Sequence, residues 1–560
     1  MCGRAAPQTG RRGGGFEERG FDGNAGTWLK ATGQYDVKGG HMIRSFIVRN
    51  RIFTVTLLLA ALVRAITAVA FRPAIWFGGD SADYLAVALR MRPDVSRMSG
   101  YGIMLFILRP LHSVMAVVAV QHVMGLLIGL GIYLLLHERF GLPGWGATLA
   151  AVPVLFDAYQ IELEHEVLSD VLFEFLIMAA LFLALWRWRD RPAWADITAG
   201  LLVSLASLVR PIALPLLVVY LCYLLLRRAR WRVFAATVIA AAVPIVLYAT
   251  WFDANYHIKN LTSSQGVYLW SRTMSFANCQ VIKPPADEMA LCPPSDGRRL
   301  AASSYIWNQD SPLTNIPGGR FSAHKNRLAL DFARRAIVAQ PGGYATAVLH
   351  DFMLSFYWNR PPHPSAFTAE KYQFSAAERV WVSPDLGTMG GGTVRTDQRA
   401  YTGAPSSATR AYEPYAGIMR AYQRFIYLRG SLLGIILLIG LAAIMRWWRG
   451  GGIRRLRDWG GPALLPWITA VGLLFVPVAT GDFDLRYVVP AVPAACLAAA
   501  LAFARVDTAA DAAQVSAPAG SRAAGAAAAG QPLGSGRSSR PSGSPARCPL
   551  RLFRQRYSSP

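Results

Sequence analysis

Long apolar blocks, joined by short arginine-rich connections, are the feature that most constrains how this chain of 560 residues can fold. Blocks of roughly 17 to 25 apolar residues have the length that crosses the hydrocarbon core of a bilayer as a helix. The chain is 53% hydrophobic and only 16% charged, which agrees with many such blocks. We therefore predict an all-α polytopic membrane protein, with the lipid bilayer as its first partner.

The apolar blocks define most of the membrane spans directly. They lie at 53–71, 114–136, 146–159, 168–186, 234–251, 432–445, 463–480 and 487–503. A further stretch, 197–226, is too long for one ordinary span and contains Arg210 and Pro211. Proline lacks an amide hydrogen and disfavours helix in the residue before it, so two short helices should meet here. The sequence thus predicts about ten transmembrane helices, although such a short pair could also be re-entrant.

Arginine placement predicts the orientation of these spans. Arg44, Arg49 and Arg51 precede the first span, and the connections 227–232 and 446–457 are also rich in arginine. Positive residues favour the cytoplasmic side, so both termini should be cytoplasmic in the cell membrane. The net charge of +24 comes largely from these connections and from the tails. The predicted topology explains this positive net charge, so no nucleic-acid partner is expected.

Composition divides the chain into five parts. Residues 1–41 are polar and glycine-rich, and we expect a disordered cytoplasmic extension, with Met42 as the preferred start of translation. Residues 42–251 form an N-terminal membrane module and 431–505 a C-terminal one. Between spans seven and eight, 252–430 should be a large extracytoplasmic α-rich loop domain. Residues 506–560 have few large apolar side chains and should be a disordered cytoplasmic tail.

The predicted outer loop domain has local signals of its own. An amphipathic helix is expected over 328–340, ended by Pro341, and a second, more apolar helix over 344–358. The stretch 384–408 is rich in Gly, Ser and Thr and should be a mobile loop. Cys279 and Cys292 are the only cysteines between 252 and 430. In an oxidising compartment they could form a disulfide, against two free thiols or a metal-binding pair.

Charged residues collect at the predicted outer ends of the spans. A carboxylate at the mouth of a span is costly to dehydrate and usually serves a substrate, a proton or an ion. Positive residues are depleted from outer loops, so an arginine there indicates a specific role. For any one of these residues, a solvated charge that marks the end of a helix is the alternative. The outer set comprises Asp80, Asp83, Tyr84, Glu162, Glu164, His165, Glu166, Asp170, Arg210, Asp482, Asp484 and Arg486.

Several segments resemble one known superfamily. The motifs are Asp80-Ser-Ala-Asp-Tyr84, Ser99-Gly-Tyr-Gly-Ile-Met-Leu105, Val167-Leu-Ser-Asp-Val-Leu-Phe173, Leu208-Val-Arg-Pro211, Ala336-Ile-Val-Ala-Gln-Pro-Gly-Gly-Tyr344 and Asp484-Leu-Arg-Tyr-Val-Val-Pro490. Their order is similar to that of the C-type glycosyltransferases (GT-C fold), which include protein O-mannosyltransferases and the aminoarabinose transferases of lipid A. The resemblance covers about residues 50 to 505. Ser81 and Asp170 stand where many members of the superfamily carry Glu.

The resemblance implies a cell-envelope transferase that moves a sugar from a polyprenyl-phosphate donor by inverting, single displacement. Such a reaction needs a base for the acceptor hydroxyl and positive groups for the departing phosphate. Asp80 is the candidate base, and Arg210 and Arg486 are the candidate phosphate ligands. The residues expected to line the site are Asp83, Tyr84, His165, Glu166, Asp170 and Tyr487.

Other functions remain open at this stage. No cofactor is certain; a divalent metal is possible because Glu162, Glu164, His165 and Glu166 cluster, although their spacing matches no strong ligand pattern. A transporter or flippase for a lipid-linked or anionic substrate could place the same charges along a polar pathway. A scaffolding membrane protein without chemistry is a third possibility. The sequence does not identify the sugar or the acceptor, which could be a glycan, a glycolipid or a protein.

Overall fold

The computed structural model describes residues 47–186, 191–294, 300–376, 383–404, 408–449 and 462–504. The predicted tails 1–41 and 506–560 lie outside these ranges, as does most of the arginine-rich connection 446–457. The described residues are mostly helical and contain only four two-residue strands. The prediction of an essentially all-α membrane protein is therefore confirmed at this level.

The first half of the described chain is a succession of helices that follow the apolar blocks. They are α1 (Arg51–Ala70), α2 (Gly78–Arg90), α3 (Gly100–Leu108), α4 (Val114–Leu134), α5 (Gly144–Phe156), α6 (Ala158–His165), α7 (Asp170–Leu185), α8 (Ala193–Val209), α9 (Ala213–Leu226) and α10 (Trp231–Tyr256). The predicted break at Arg210 is confirmed, since α8 ends before it and α9 begins after Pro211. Between α1 and α4, residues 78–90 and 100–108 are also helical.

Shorter elements build the segment between α10 and the last apolar helices. They are α11 (Gln265–Thr273), α12 (Cys279–Ile282), α13 (Ala302–Trp307), α14 (Ala323–Ala339), α15 (Pro341–Leu354), α16 (Ala366–Lys371), α17 (Val394–Thr402) and α18 (Tyr415–Phe425). The final helices are α19 (Gly430–Arg449), α20 (Leu464–Thr480), α21 (Leu485–Val488) and α22 (Val492–Ala500).

The described residues contain two small antiparallel ladders, one between distant segments and one local. Strand β1 (Phe71–Arg72), directly after α1, pairs with β4 (Arg410–Ala411). Strand β2 (Gly387–Thr388) pairs with β3 (Gly392–Thr393). The first ladder ties the C-terminal end of α1 to the segment that precedes α18.

Length and composition agree with a bilayer protein. Five of the described helices are long and apolar enough to cross a membrane, and five shorter helices are apolar as well. The long ones are Arg51–Ala70, Val114–Arg139, Trp231–Tyr256, Gly430–Arg449 and Leu485–Phe503. The shorter ones are Gly100–Leu111, Gly144–Phe156, Ala193–Val209, Ala213–Leu226 and Leu464–Thr480. A count of ten spans with cytoplasmic termini stays a prediction.

The predicted outer loop domain, residues 252–430, is called the outer segment below. Its structure corrects two sequence expectations and confirms a third. Pro341 does not only end α14: it also occupies the first position of α15, where its missing amide hydrogen costs nothing. The stretch 384–408, expected to be a mobile loop, contains β2, β3 and helix α17, which begins with a capping box between Thr393 and Thr396. Cys279 and Cys292 form a disulfide, as the sequence predicted for an oxidising compartment.

A buried ion pair fixes the contact between α1 and α6. The Arg64 guanidinium donates two hydrogen bonds of 2.7 Å to the carboxylate of Glu164, and both side chains are almost completely buried. The imidazole of His122 on α4 lies 2.9 Å from the same carboxylate. Gly125, one turn further along α4, leaves room for it, since a Cβ there would lie 1.8 Å from Glu164 Oε1. A carboxylate in this apolar setting is stable only while its partners remain.

We predict that Arg64→Met destabilises the protein by about 3–5 kcal/mol, because it leaves the Glu164 carboxylate buried and unpaired. The exposed pair of Arg49 with Glu138 provides the control, and Arg49→Gln should cost about 0–1 kcal/mol. Unfolding in mixed micelles by denaturing detergent measures both. Equal losses in the two variants would contradict the structural role given to Arg64.

The disulfide also tests the predicted orientation of the membrane spans. In a variant that keeps only Cys279 and Cys292, a membrane-impermeant maleimide should label intact cells only after a reductant is added, because the two thiols are paired on the outer side. A variant that keeps only Cys548, in the predicted cytoplasmic tail, should be labelled only after the cells are permeabilised. The opposite pattern in either variant would reverse the proposed topology.

Candidate functional site

Asp80 lies in the first turn of α2, between two arginines from distant parts of the chain. Its Oδ1 is 2.7 Å from Nη1 of Arg97, and its Oδ2 accepts a hydrogen bond of 2.8 Å from Nη1 of Arg486. Arg97 lies between α2 and α3, and Arg486 belongs to α21. The N-terminus of a helix also favours a negative charge. Two guanidiniums therefore share one carboxylate, and each has a second acidic neighbour, Asp83 for Arg97 and Asp484 for Arg486.

The two arginines determine how Asp80 ionises. Burial by itself would raise the pKa of its carboxyl, but Arg97 and Arg486 together lower that pKa well below its ordinary value. Asp83, one turn further along α2, behaves differently. Arg97 Nη2 is 3.2 Å from its Oδ2, yet burial, with Asp94 and Asp80 nearby, raises the pKa of Asp83 to about 7. At neutral pH one of these carboxylates is fully ionised and the other is close to its midpoint.

Hydrogen bonds to the segment before α7 hold helix α2 in place. The Ser81 hydroxyl donates to the Val167 carbonyl at 2.9 Å, and the Tyr84 hydroxyl donates to Ser169 Oγ at 3.0 Å. Ser81 is completely buried. Tyr84 packs edge-on against the ring of Tyr101. These contacts fix the orientation of α2 and therefore the direction of the Asp80 side chain.

A second group of charges surrounds Tyr487. Arg210, at the break between α8 and α9, forms an ion pair with Asp170 at the start of α7. The guanidinium of Arg210 also lies 4.9 Å from the centre of the Tyr487 ring, and that of Arg486 lies 5.4 Å from it. Cation–π contacts of this kind hold like charges near one another on an aromatic face. The structure thus brings Arg210, Arg486 and Asp80 into one region, as the sequence analysis required.

Some buried guanidinium donors in this region have no hydrogen-bond acceptor among the described residues. They are Nε of Arg486, which lies 3.7 Å from Asp484 Oδ2, and Nη1 of Arg97, which lies 2.7 Å from Asp80 Oδ1, both without hydrogen-bond geometry. Buried donors without acceptors are costly in a folded protein. A guanidinium offers a planar set of donors that matches the oxygens of a phosphate. This arrangement is suited to bind an anion with several oxygens beside Asp80.

Sequence reasoning missed two cations of this region. Arg97 is one; as an arginine in a predicted outer connection, it carried the same signal that identified Arg210. Lys371 is the other. Its ammonium lies 5.1 Å from the centre of the Phe77 ring, whose other cationic neighbour is Arg486 at 5.0 Å. Lys371 lies at the end of α16 in the predicted outer loop, and no sequence pattern connected it with Asp80.

The cluster Glu162, Glu164, His165 and Glu166 separates into two networks. Glu164 belongs to the pair with Arg64 described above. The ring of His165 is fully buried, with Nδ1 3.1 Å from His122 Nε2 and Nε2 2.6 Å from the Phe71 carbonyl. Burial lowers the pKa of His165 to about 3, so the ring is neutral. Both of its nitrogens are occupied, which leaves none to orient a substrate or bind a metal.

Glu162 and Glu166 form the second network, a buried acid pair. No N–H or O–H group in the described part of the chain donates to any of their four carboxyl oxygens. Burial raises the pKa of Glu162 to about 8, and burial together with Glu162 raises the pKa of Glu166 well above its ordinary value. The pair therefore holds a proton at neutral pH. Asp170 lies close enough to influence both side chains.

Comparison with known proteins adds little to this picture. No family model matches the chain, and no curated protein matches it. Among solved structures, ArnT from Cupriavidus metallidurans bound to undecaprenyl phosphate has a TM-score of 0.31 and 12% identity, covering 77% of this chain and 78% of that one. The same protein in the apo state has a TM-score of 0.28 and 12% identity, with coverages of 76% and 77%. Scores of this size carry no argument about fold or function.

The high pKa of Asp83 gives a prediction for anion binding. As the pH rises from 6 to 8, Asp83 gains a negative charge next to Arg97, so a lipid with a phosphodiester head group should bind about tenfold more weakly. A phosphodiester does not itself titrate in this range. Equilibrium binding to the protein in nanodiscs measures the effect.

Asp83→Asn should remove most of this pH dependence, because the charge that forms near Arg97 is then absent. Asp385→Asn, an exposed substitution elsewhere in the outer segment, should leave it unchanged. An Asp83→Asn protein with the parental pH dependence would show that another group controls anion binding.

Proposed function

We propose that this protein is a membrane glycosyltransferase, which moves a sugar from a polyprenyl-phosphate donor to a hydroxyl group of an acceptor on the extracytoplasmic face. The observation that carries the proposal is the pair of arginines, Arg97 and Arg486, around Asp80, each with one buried N–H group that has a carboxylate nearby but no hydrogen bond. A base and an anion site side by side are what transfer from a sugar phosphate requires.

The position of the arginines favours a lipid phosphate over a soluble one. Arg486 is the second residue of the apolar segment Leu485–Phe503, and Arg210 separates two apolar helices, α8 and α9. A phosphate bound by both arginines would lie where apolar helix surfaces begin. An amphiphilic donor could place its phosphate there while its chain stays in the bilayer. The motifs that resemble C-type glycosyltransferases contain the same residues.

The proposed chemistry is a single displacement. The acceptor oxygen attacks the anomeric carbon of the sugar as the bond from that carbon to the phosphate oxygen breaks, which inverts the configuration. Asp80 takes the proton of the acceptor hydroxyl, and the lipid phosphate leaves with the electron pair of the broken bond. Arg97, Arg210 and Arg486 would stabilise the negative charge that develops on that phosphate. No further reactant is needed.

The low pKa of Asp80 has a consequence for the order of events. A carboxylate that is bound to two guanidiniums is a weak base, because both favour its charged form. A donor phosphate that draws Arg97 and Arg486 towards its own oxygens would weaken their hold on Asp80 and raise its basicity. Donor binding would then prepare the base before the acceptor reacts.

The remaining residues would support this arrangement. Tyr487 holds Arg210 and Arg486 on one ring, and Asp170 fixes the guanidinium of Arg210. Tyr84 and Asp83 would line the approach to Asp80. When ionised, Asp83 would offset the positive charge of Arg97. Glu166 lies further inside, in the buried acid pair. His165 would have no contact with the substrate.

A transporter is the second candidate, and the buried acid pair is the observation that favours it. Protonated carboxyls inside a helical membrane protein are typical of proton-coupled transport. Glu162 has such a raised pKa. In that case the cations around Asp80 would bind an anionic substrate during its passage, without chemistry.

The decisive experiment measures sugar transfer by the purified protein in nanodiscs, with a panel of radiolabelled polyprenyl-phosphate sugars and mixed acceptors. We predict that Asp80→Asn lowers kcat by about 10²–10⁴-fold while the donor still binds, because the general base is lost. Arg486→Gln should lower kcat and weaken donor binding together. Asp310→Asn, at an exposed position of the outer segment, is the matched control and should keep the parental rate.

The same preparations distinguish the two candidate functions. Parental activity in Asp80→Asn would remove Asp80 as the base, even if transfer occurs. If no donor turns over, proteoliposomes loaded with the labelled lipids and with anionic solutes provide the second readout. Proton-dependent flux that is lost in Glu162→Gln would assign the protein to the transporters and overturn the proposed reaction.

A further inference from the structure

Three potential metal ligands meet at the junction of the outer segment with the last membrane helices. Asp351 lies near the end of α15, His363 in the connection after it, and Asp482 between α20 and α21. One ligand atom from each side chain lies within 4.8 Å of those of the other two. His363 Nε2 is 2.8 Å from Asp482 Oδ1. Three separate segments of the chain therefore converge on one point.

The surroundings of these ligands resemble a second shell. Arg272, itself buried, forms an ion pair with Asp351, whose other carboxylate oxygen is 2.9 Å from His350 Nδ1. The backbone amide of Ser303 donates to Asp482 Oδ2 at 2.8 Å. Groups that hold carboxylates in one orientation from outside are typical of metal centres. Asp351 is 6% exposed, so its charge is also poorly solvated.

We propose that Asp351, His363 and Asp482 bind a divalent transition-metal ion, with zinc or manganese as the class of ion that fits. An imidazole with two carboxylates suits these ions better than calcium, which takes oxygen ligands only. Three protein ligands leave at least one position for water. The site is separate from Asp80, and the proposal does not depend on sugar transfer.

The place of the metal in the chain indicates what it does. Asp482 precedes Asp484 by two residues and Arg486 by four. The Asp484 side chain accepts a hydrogen bond from the backbone amide of Arg486 and so begins α21. A metal that joins Asp482 to Asp351 and His363 fixes this turn to the outer segment. It acts on Arg486 by positioning, without contact with the reacting atoms.

Metal binding is measured directly on the full chain. The protein, with its purification tag removed, is treated with a chelator and placed in phosphatidylcholine nanodiscs. Zn²⁺ is then titrated against a chromophoric competitor, and Co²⁺ is added separately to record its visible absorption. We expect one ion per chain, a Co²⁺ spectrum of a nitrogen- and oxygen-ligated site, and a higher thermal midpoint with Zn²⁺ present.

Substitutions separate a metal site from an ion pair. His363→Asn and Asp482→Asn should each weaken Zn²⁺ binding by on the order of 100-fold or more, since each removes a direct ligand. His350→Asn is the matched control, because it changes a neighbouring imidazole of the same cluster that contacts Asp351 but is not one of the three ligands; its Zn²⁺ affinity should fall far less. If a variant folds poorly, the Co²⁺ spectrum of the remaining folded fraction still reports its site.

Two results would overturn the proposal. One is a parent protein that binds no Zn²⁺ or Co²⁺ stoichiometrically, which would make the cluster an ion pair between a protonated His363 and Asp482. The other is binding that both ligand variants, His363→Asn and Asp482→Asn, retain, which would place the ion elsewhere. Neither result bears on sugar transfer by Asp80, which has its own assay.

Discussion

The structure depends on the pairing of buried charges in a setting with little water. An isolated charge among apolar helices is costly, so each buried arginine needs a carboxylate from another segment. Arg64 is paired with Glu164, Arg210 with Asp170, and Arg272 with Asp351. Each pair fixes the relative position of two segments. Around Asp80 the pairing is not one-to-one, because Arg97 and Arg486 share its carboxylate while Arg97 also lies close to Asp83 and Arg486 close to Asp484.

Much of the fold could be predicted because hydrophobic length and proline act locally. Apolar blocks predicted most of the long helices, and Arg210–Pro211 predicted the break between α8 and α9. The outer segments were harder. Their conformation depends on distant partners: Asp397 in α17, for example, accepts two hydrogen bonds from Arg90 in α2. Composition predicted a mobile loop over 384–408, but contacts of this kind hold α17 in place. No local sequence pattern predicts such contacts.

The candidate site shows the same division. Residue type and predicted side of the membrane selected Asp80, Arg210 and Arg486, but the contact between Asp80 and Arg486 joins residues 406 positions apart. Spacing alone could not pair them. Spacing also grouped Glu162, Glu164, His165 and Glu166, whereas the structure directs these side chains to different partners. Glu164 on α6 pairs with Arg64, while Glu166, the extended residue that follows α6, lies beside Glu162.

The glycine at position 125 has a meaning beyond packing. A Cβ at this position would lie 1.8 Å from Glu164 Oε1, so alanine here would displace that carboxylate from its hydrogen bonds with Arg64. The glycine is therefore coupled to the charged pair of α1 and α6. Among related sequences these three positions should be inherited as a set. Their joint presence or joint loss would mark branches of descent, independently of what happens around Asp80.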